Sequence, residues 1–251
     1  MQIYANPCPK NFESIMTIRT ITFKILRYKQ IQIDPPRFQE FTLDVDPTAS
    51  VLDGLEKIRL EQDNTLMYRR SCHHSSCGTC ACKINGVEHL TCITKIHELE
   101  GDTVTLTPLE GFKTIGDLVV DMQRFYYDIS EDWNYIKKTE KVNSATPPAD
   151  IGHFTCFENC IECAACVSAC PVSHKNNTFM GPAALAAINC ELKRAPQRAQ
   201  DLLADAGSRR GQHLCERAFN CSRVCPTGVY PARHIADLRS LIEGKNSDSE
   251  T

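Results

Sequence analysis

The stretch Cys160-Ile161-Glu162-Cys163-Ala164-Ala165-Cys166-Val167-Ser168-Ala169-Cys170-Pro171 decides how the second half of this chain folds. Its spacing, C-x2-C-x2-C-x3-C-P, is typical of segments that hold iron–sulfur clusters, and in two-cluster proteins the fourth cysteine ligates the other cluster. A second run is therefore required. It follows as Cys215-x5-Cys221-x3-Cys225-Pro226, which has the same spacing except that Ala218 stands where a cysteine is expected.

The crossing of the fourth cysteine assigns ligands to two clusters. The predicted ligands of a [4Fe–4S] cluster are Cys160, Cys163, Cys166 and Cys225. The thiols left over from the two runs are Cys170, Cys215 and Cys221. Because Ala218 supplies no thiolate, these three predict a [3Fe–4S] cluster.

An earlier group of cysteines has a different spacing, Cys72-x4-Cys77-x2-Cys80-x11-Cys92. Three thiols on one loop with a distant fourth match plant-type [2Fe–2S] ligation. Gly78 leaves room for backbone N–H groups to approach the sulfur atoms. A zinc site would favour paired C-x2-C elements, and a Rieske centre needs two histidines, which no C-x2-H motif offers. We therefore predict a [2Fe–2S] cluster with four cysteine ligands.

Cysteine usage also points to metal rather than to disulfides. The chain of 251 residues contains 15 cysteines, most of them in three tight groups, and residues 1–14 carry no secretory signal. The cysteines outside these ligand sets are Cys8, Cys82, Cys156 and Cys190, which we interpret as small buried hydrophobic residues.

Charge and hydropathy exclude two further classes of protein. The net charge of −3 gives no basic footprint for nucleic acid. The longest uncharged, mostly apolar run covers residues 178–190, which is short of the roughly 20 residues needed to span a bilayer.

Periodicity predicts two domains. Alternating apolar residues predict strands in residues 17–28, 41–45 and 103–107, with a turn at Pro35-Pro36. Helical spacing begins at Val51, and Asn85-Gly86 signals a hairpin. We expect a polar extension over residues 1–16 and a domain with a small mixed sheet over residues 17–112.

Beyond residue 113 the pattern is helical. Apolar residues at helical spacing predict helices in residues 115–127, 183–192, 197–206 and 231–241, with a surface loop over residues 142–150. We predict a helical domain over residues 113–243 and a polar, disordered tail over residues 244–251. The fold class is α+β.

The chain lacks other catalytic signatures. It has no Gly-rich phosphate loop for a flavin or nicotinamide nucleotide and no recognisable Ser-His-Asp or Cys-His arrangement. Three one-electron centres without a substrate motif indicate an electron relay, with the catalytic chemistry on a partner.

Several motifs, in the same order over residues 17–241, resemble those of the iron–sulfur subunits of succinate dehydrogenase and fumarate reductase. Besides the cysteine runs, they are Tyr68-Arg69-Arg70-Ser71-Cys72, Cys77-Gly78-Thr79-Cys80, Asn85-Gly86, Asp117-Leu118-Val119-Val120-Asp121-Met122 and Gly181-Pro182-Ala183-Ala184. The resemblance implies an N-terminal β-grasp, plant-type ferredoxin-like domain with [2Fe–2S]. It also implies an all-α, bacterial-ferredoxin-like domain with [4Fe–4S] and [3Fe–4S].

The resemblance further implies partners and a location. In that family the [2Fe–2S] centre faces a flavoprotein with covalent FAD, which interconverts succinate and fumarate. The [3Fe–4S] centre faces a membrane anchor that binds quinone. We therefore expect an oxidoreductase subunit peripheral to the cytoplasmic face of a prokaryotic inner membrane, since no transit peptide is recognisable.

Two departures bear on the quinone. Ubiquinone-reducing members usually carry a tryptophan shortly after the Cys-Pro of the first run, where this chain has Val172-Ser173-His174-Lys175. Glu216 stands where a histidine is common. Menaquinone or a less usual anchor fits at least as well as ubiquinone. The alternative is the same three-cluster module serving another flavoprotein dehydrogenase, or a thiol-linked fumarate reductase without a quinone site.

Overall fold

The computed structural model describes residues 18–46, 48–129 and 159–248, with side chains described as far as residue 244. The predicted extension over residues 1–16, the predicted loop over residues 142–150, and both Cys8 and Cys156 lie outside the described residues.

Strands dominate the first half and helices the second. The strands are β1 (Arg19–Lys29), β2 (Ile33–Val45), β3 (Ala81–Ile84), β4 (Val87–Leu90), β5 (Thr103–Thr107), β6 (Thr114–Gly116) and β7 (Val119–Val120). The helices are α1 (Val51–Glu61), α2 (Gln123–Tyr126), α3 (Ala165–Ser168), α4 (Pro171–Lys175), α5 (Gly181–Arg194), α6 (Ala199–Gly207), α7 (Asn220–Arg223) and α8 (Pro231–Asp248). The predicted α+β class is confirmed.

Strand β1 is the centre of a seven-stranded mixed sheet. It pairs antiparallel with β2 and parallel with β5, and β5 continues the sheet to β3 and β4. On one face of β1 the side chains of Ile21, Phe23 and Ile25 are fully buried. Helix α1 covers this face, and a Cβ atom on Gly54 would lie 2.3 Å from the Phe23 ring. A glycine is therefore needed where the helix approaches the sheet.

The start of α1 follows from a capping box. The Ser50 hydroxyl accepts a hydrogen bond from the Asp53 N–H, and the Asp53 carboxylate accepts one from the Ser50 N–H. Two backbone donors at the helix start are thus satisfied, and the helix begins at Val51 as predicted.

The helix predicted over residues 115–127 is wrong. Residues 114–120 form β6 and β7, and only residues 123–126 are helical. The reason is Asp117, a fully buried residue with a φ of 41°. Its carboxylate accepts hydrogen bonds from the backbone N–H groups of Tyr28 and Met67. This tie holds the segment against the end of β1, so the first sheet extends past residue 112, the predicted domain boundary.

Two smaller predictions also differ from the structure. Pro35 and Pro36 lie within β2 rather than in a turn. Proline is tolerated there because the register of β2 with β1 shifts at this point, between the pair of Arg27 with Arg37 and the pair of Lys29 with Ile33. Helix α8 continues to Asp248, so residues 244–248 are helical where the sequence predicted a disordered tail.

Helix α5 is the centre of the second half. All its residues from Gly181 to Glu191 are buried, four of them alanines that let neighbouring helices approach closely. Its main partner is α8, followed by α6 and α3. Among the described residues, no helix is long and apolar enough to cross a membrane.

The two halves share a hydrophobic cluster, which is distinct from the cluster that β1 and α1 form within the first half. Leu90 and Leu109 of the first half belong to the same buried cluster as Val167 and Leu185 of the second. A polar contact adds to it: the Ser168 hydroxyl donates to the buried Glu88 carboxylate at 2.8 Å and accepts from the Glu110 N–H at 2.8 Å. The halves are therefore packed directly on each other.

Sequence reasoning missed a buried charge cluster beneath β1. The Arg27 side chain is 1% exposed, and its Nε lies 3.0 Å from the carboxylate of Asp117, which is 0% exposed. Its Nη1 lies 2.6 Å from the Asp63 carboxylate. Because buried charges are costly unless paired, each partner depends on the others.

We predict that Arg27→Met lowers the free energy of unfolding by about 3–5 kcal/mol, because it leaves the Asp117 carboxylate buried without its cation. Urea denaturation followed by circular dichroism measures the change. The matched control is Arg19→Met, which removes an exposed ion pair with Asp102 and should cost less than about 1 kcal/mol. Equal losses in the two variants would contradict a special role for Arg27.

Candidate metal centres

The first set of predicted ligands is Cys72, Cys77, Cys80 and Cys92. Three lie on the loop between α1 and β3, and the hairpin of β3 and β4 returns the chain to them. The register of that hairpin pairs Ala81 with Leu90. Consequently the Thr91 hydroxyl reaches the Cys80 carbonyl at 3.2 Å, and Cys92 follows directly.

The loop backbone presents N–H groups to sulfur. Residues with positive φ occur at His73, Ser75 and Gly78, and the His74 N–H points at Cys72 Sγ at 3.5 Å. Such donors stabilise thiolate ligands. Burial, together with the nearby Cys80 and Cys72, raises the pKa of Cys92 to about 11. Burial also acts to raise the pKa of Cys77, but hydrogen bonds from Thr79 and Cys72 outweigh it and lower that pKa to about 6.

The two later cysteine runs share one backbone design. Counting from the first cysteine of each run, positive φ occurs two and four residues on, at Glu162 and Ala164 in one and at Arg217 and Phe219 in the other. A short helix starts after each second position, α3 after Ala164 and α7 after Phe219. This match independently aligns Ala218 with Cys163.

The effect of each thiol on the pKa of the others indicates which thiols lie near one another. Burial raises the pKa of Cys163 to about 11, and the Cys225 thiol contributes. Burial likewise raises the pKa of Cys166, with contributions from Cys163, Cys160, Cys221 and Cys225. The thiol of Cys225 is thus near the first run, and so is that of Cys221. Backbone donors are also present, since the Val229 N–H lies 3.3 Å from Cys225 Sγ and the Glu162 N–H lies 3.4 Å from Cys160 Sγ.

The three remaining thiols surround one cavity. Its lining includes Cys170, Cys215, Cys221 and Ala218. Burial, together with the neighbouring Cys170 and Cys215, raises the pKa of Cys221 to about 11. The Ala218 methyl group contributes no donor atom, so the cavity offers three thiols and no fourth.

The donor sets fit iron–sulfur clusters. Buried thiols that repel one another need positive counter-charge to ionise together, and a cluster supplies it. Within the described ranges 18–46, 48–129 and 159–248, no three or more His, Cys, Asp or Glu side chains converge to hold a single metal ion. The ligands of an iron–sulfur cluster need not converge on one point, because the thiolates bind different iron atoms of one core.

Gly78 brings the first and second sets together. A Cβ atom on this glycine would lie 2.4 Å from the Ile161 carbonyl oxygen and 2.8 Å from Cys163 Cβ. The sequence reading assigned Gly78 to close approach of its own loop to sulfur. The structure adds a second reason, since the loop of the second set packs directly on it.

Other residues at this junction were not singled out from the sequence. Arg69 reaches the Ala81 carbonyl, and the Tyr126 hydroxyl donates to the Glu162 carboxylate at 2.9 Å. Arg69 belongs to the motif Tyr68-Arg69-Arg70-Ser71-Cys72, which could have drawn attention to it. Tyr126 lies in the segment 115–127, for which the sequence predicted only a helix. Among cysteines outside the predicted ligand sets, Cys82 and Cys190 are buried.

Two known domain families match the chain. Residues 22–127 match the 2Fe-2S iron-sulfur cluster binding domain, and residues 157–229 match the 4Fe-4S dicluster domain. Among solved structures, a chain of the Mycobacterium smegmatis Sdh1 complex in the apo form aligns with a TM-score of 0.71 at 22% identity, covering 91% of this chain and 98% of that one. A hypothetical protein from Helicobacter pylori aligns with a TM-score of 0.56 at 17% identity, covering 88% and 39%.

Curated relatives are more similar in sequence. The mitochondrial succinate dehydrogenase (ubiquinone) iron–sulfur subunit of Candida glabrata is 32% identical over 235 residues, covering 89% of this chain and 92% of the relative. The corresponding subunit 1 of Oryza sativa subsp. japonica is 34% identical over 236 residues, covering 88% and 82%. The chain therefore belongs to the family of succinate dehydrogenase iron–sulfur subunits, and it is an electron-transferring subunit of an oxidoreductase.

Proposed function

We propose that this subunit relays single electrons between an FAD-containing flavoprotein and a membrane quinone site. The observation that supports this proposal most directly is the order of the three thiol sets: the first is adjacent to the second, and the second is adjacent to the third. Gly78 packs the first set on the second, and Cys166 of the second set lies near Cys221 of the third. Short distances between successive centres are what an electron relay requires.

The proposed ligands follow the three sets. They are Cys72, Cys77, Cys80 and Cys92 for [2Fe–2S]; Cys160, Cys163, Cys166 and Cys225 for [4Fe–4S]; and Cys170, Cys215 and Cys221 for [3Fe–4S]. When bound, the clusters supply one-electron redox chemistry. The chain's own residues hold the thiolates, donate backbone N–H groups to sulfur and exclude water around the buried sets.

Partners and location are part of the proposal. The relatives' names associate them with succinate, ubiquinone and mitochondria, and we infer that the dicarboxylate site lies on a partner flavoprotein. One or more membrane anchor subunits would bind the quinone, with this chain peripheral to the cytoplasmic face of a prokaryotic inner membrane. The domain division is proposed near residue 121, after β7, rather than at residue 112.

Two departures from the pattern of ubiquinone-reducing members bear on which quinone the complex uses. The segment Val172-Ser173-His174-Lys175 contains no tryptophan, although ubiquinone-reducing members usually carry one shortly after this Cys-Pro. Glu216 lines the third cavity, at a position where a histidine is common. With these residues, menaquinone or a less usual anchor fits at least as well as ubiquinone. These residues also support the alternative that the module serves another flavoprotein dehydrogenase, or a thiol-linked fumarate reductase.

We predict that the natively purified complex couples succinate or fumarate to a quinone, with menaquinone analogues at least as effective as ubiquinone analogues. Steady-state turnover with both substrates and both quinone classes measures this. The control is the flavoprotein without this chain, which should react only with artificial acceptors. An intact complex that turns over neither quinone would favour the alternative partner.

We predict that Ala218→Cys supplies the missing thiolate and replaces [3Fe–4S] with [4Fe–4S], because Ala218 lines the cavity of the third set. EPR of the oxidised complex should lose the signal of the three-iron cluster. Ala218→Val is the control, since it adds bulk without a ligand atom and should keep that signal. Persistence of the signal in Ala218→Cys would contradict the proposed site.

We predict that Cys225→Ser disturbs the [4Fe–4S] centre and leaves the [3Fe–4S] centre, because the Cys225 thiol is near Cys163 and Cys166. Iron content and EPR of both redox states distinguish the centres. Cys190→Ala is the control, as it removes a cysteine outside the ligand sets. Selective loss of the three-iron signal in Cys225→Ser would show that the ligands do not cross.

A further inference from the structure

Arg69 occupies the junction between the first and second thiol sets. Its Nη2 lies 3.5 Å from the carbonyl oxygen of Ala81, the residue after Cys80. Its Nε is buried and has no hydrogen-bond partner in the described part of the chain. Within that part, Arg69 also forms no ion pair with a carboxylate. A partly buried cation is thus held at this junction without a conventional counter-ion among the described residues.

The groups near this cation include one proposed ligand from each of the first two thiol sets. Burial lowers the pKa of Arg69, whereas Cys82, Tyr126, Cys80 and Cys163 act in the opposite direction. Cys80 is a proposed ligand of the first centre and Cys163 of the second. The contact between Gly78 and Cys163 supports the same placement, since it joins the two loops at this point.

Even partial burial of an arginine without a carboxylate costs free energy, and arginine remains protonated in proteins. Four thiolates around each core make both proposed centres anionic, and each added electron increases the negative charge. A fixed positive charge nearby therefore favours the reduced form, and it does so strongly where the effective dielectric constant is low.

We propose that Arg69 is a positioning residue whose half-buried guanidinium supplies counter-charge to both the first and second centres and raises their reduction potentials. This inference rests on the proposed function, because it requires clusters at both thiol sets. The step it affects is the entry of one electron into either centre. It requires no proton, since the guanidinium keeps its charge throughout.

The test is an EPR-monitored redox titration of the assembled complex carrying Arg69→Met. We expect the equilibrium constant for reduction of each of these two centres to fall about tenfold, which is about 59 mV for a one-electron couple. Arg69→Lys keeps the charge and should restore most of each potential. The third centre is an internal reference, and its potential should be unchanged.

The neighbouring residue provides a matched control. Arg70 is paired with Glu56 at 2.6 Å and its side chain is 50% exposed. Solvent and the carboxylate therefore screen its charge, so Arg70→Met should shift neither potential measurably. If Arg69→Met fails to acquire clusters, Arg69→Gln, which keeps a donor for the Ala81 carbonyl, replaces it in the comparison with Arg69→Lys.

The outcomes separate the two proposals. Clusters that are present with unchanged potentials in the neutral variants would overturn the role of Arg69 and leave the relay intact. Equal shifts in Arg69→Lys and Arg69→Met would also overturn it, since charge would not be the cause. Absence of iron–sulfur signals from the unmodified complex would instead contradict the proposed function itself.

Discussion

The burial of mutually repelling thiols is the constraint on which the second half of the molecule depends. Helices α3, α4 and α7 have only four or five residues each, too few to be stable in isolation. Each begins within five residues of a proposed ligand, and the backbone before α3 and α7 adopts positive φ twice. The apolar packing of α5 and the bonds that a cluster would make to the thiolates together hold these short segments in place.

The same constraint joins the two halves of the chain. The loop of the first set can pack on that of the second only because Gly78 has no side chain. A shared hydrophobic core and the Ser168–Glu88 hydrogen bond fix this arrangement around the loops. Function depends on it, because electron transfer between centres requires them to be close. Stability and function therefore rest on one interface.

Much of the fold was predictable from local patterns. Strand β5, the hairpin at Asn85-Gly86 and the start of α1 agree with the sequence reading because alternation, turn residues and capping act over short distances. The segment around Asp117 was not predictable, because its structure depends on hydrogen bonds to Tyr28 and Met67, which are remote in the sequence. The ion pair between Arg27 and the buried Asp117 was not predictable either, because the two residues are remote in the sequence and nothing local marks an aspartate as buried.

The sequence by itself determined that the chain carries a 2Fe-2S domain and a 4Fe-4S dicluster domain. The spacing of the cysteines, with Ala218 in one run, also predicts the size of each thiol set, because ligand spacing is a local property of a loop. The tertiary structure alone decided which sets are neighbours and what lies between them. The placement of Arg69 near both Cys80 and Cys163, like the contact at Gly78, arises from packing two loops more than 80 residues apart in the chain. Such juxtapositions are created by the shared core, and no local pattern of residues encodes them.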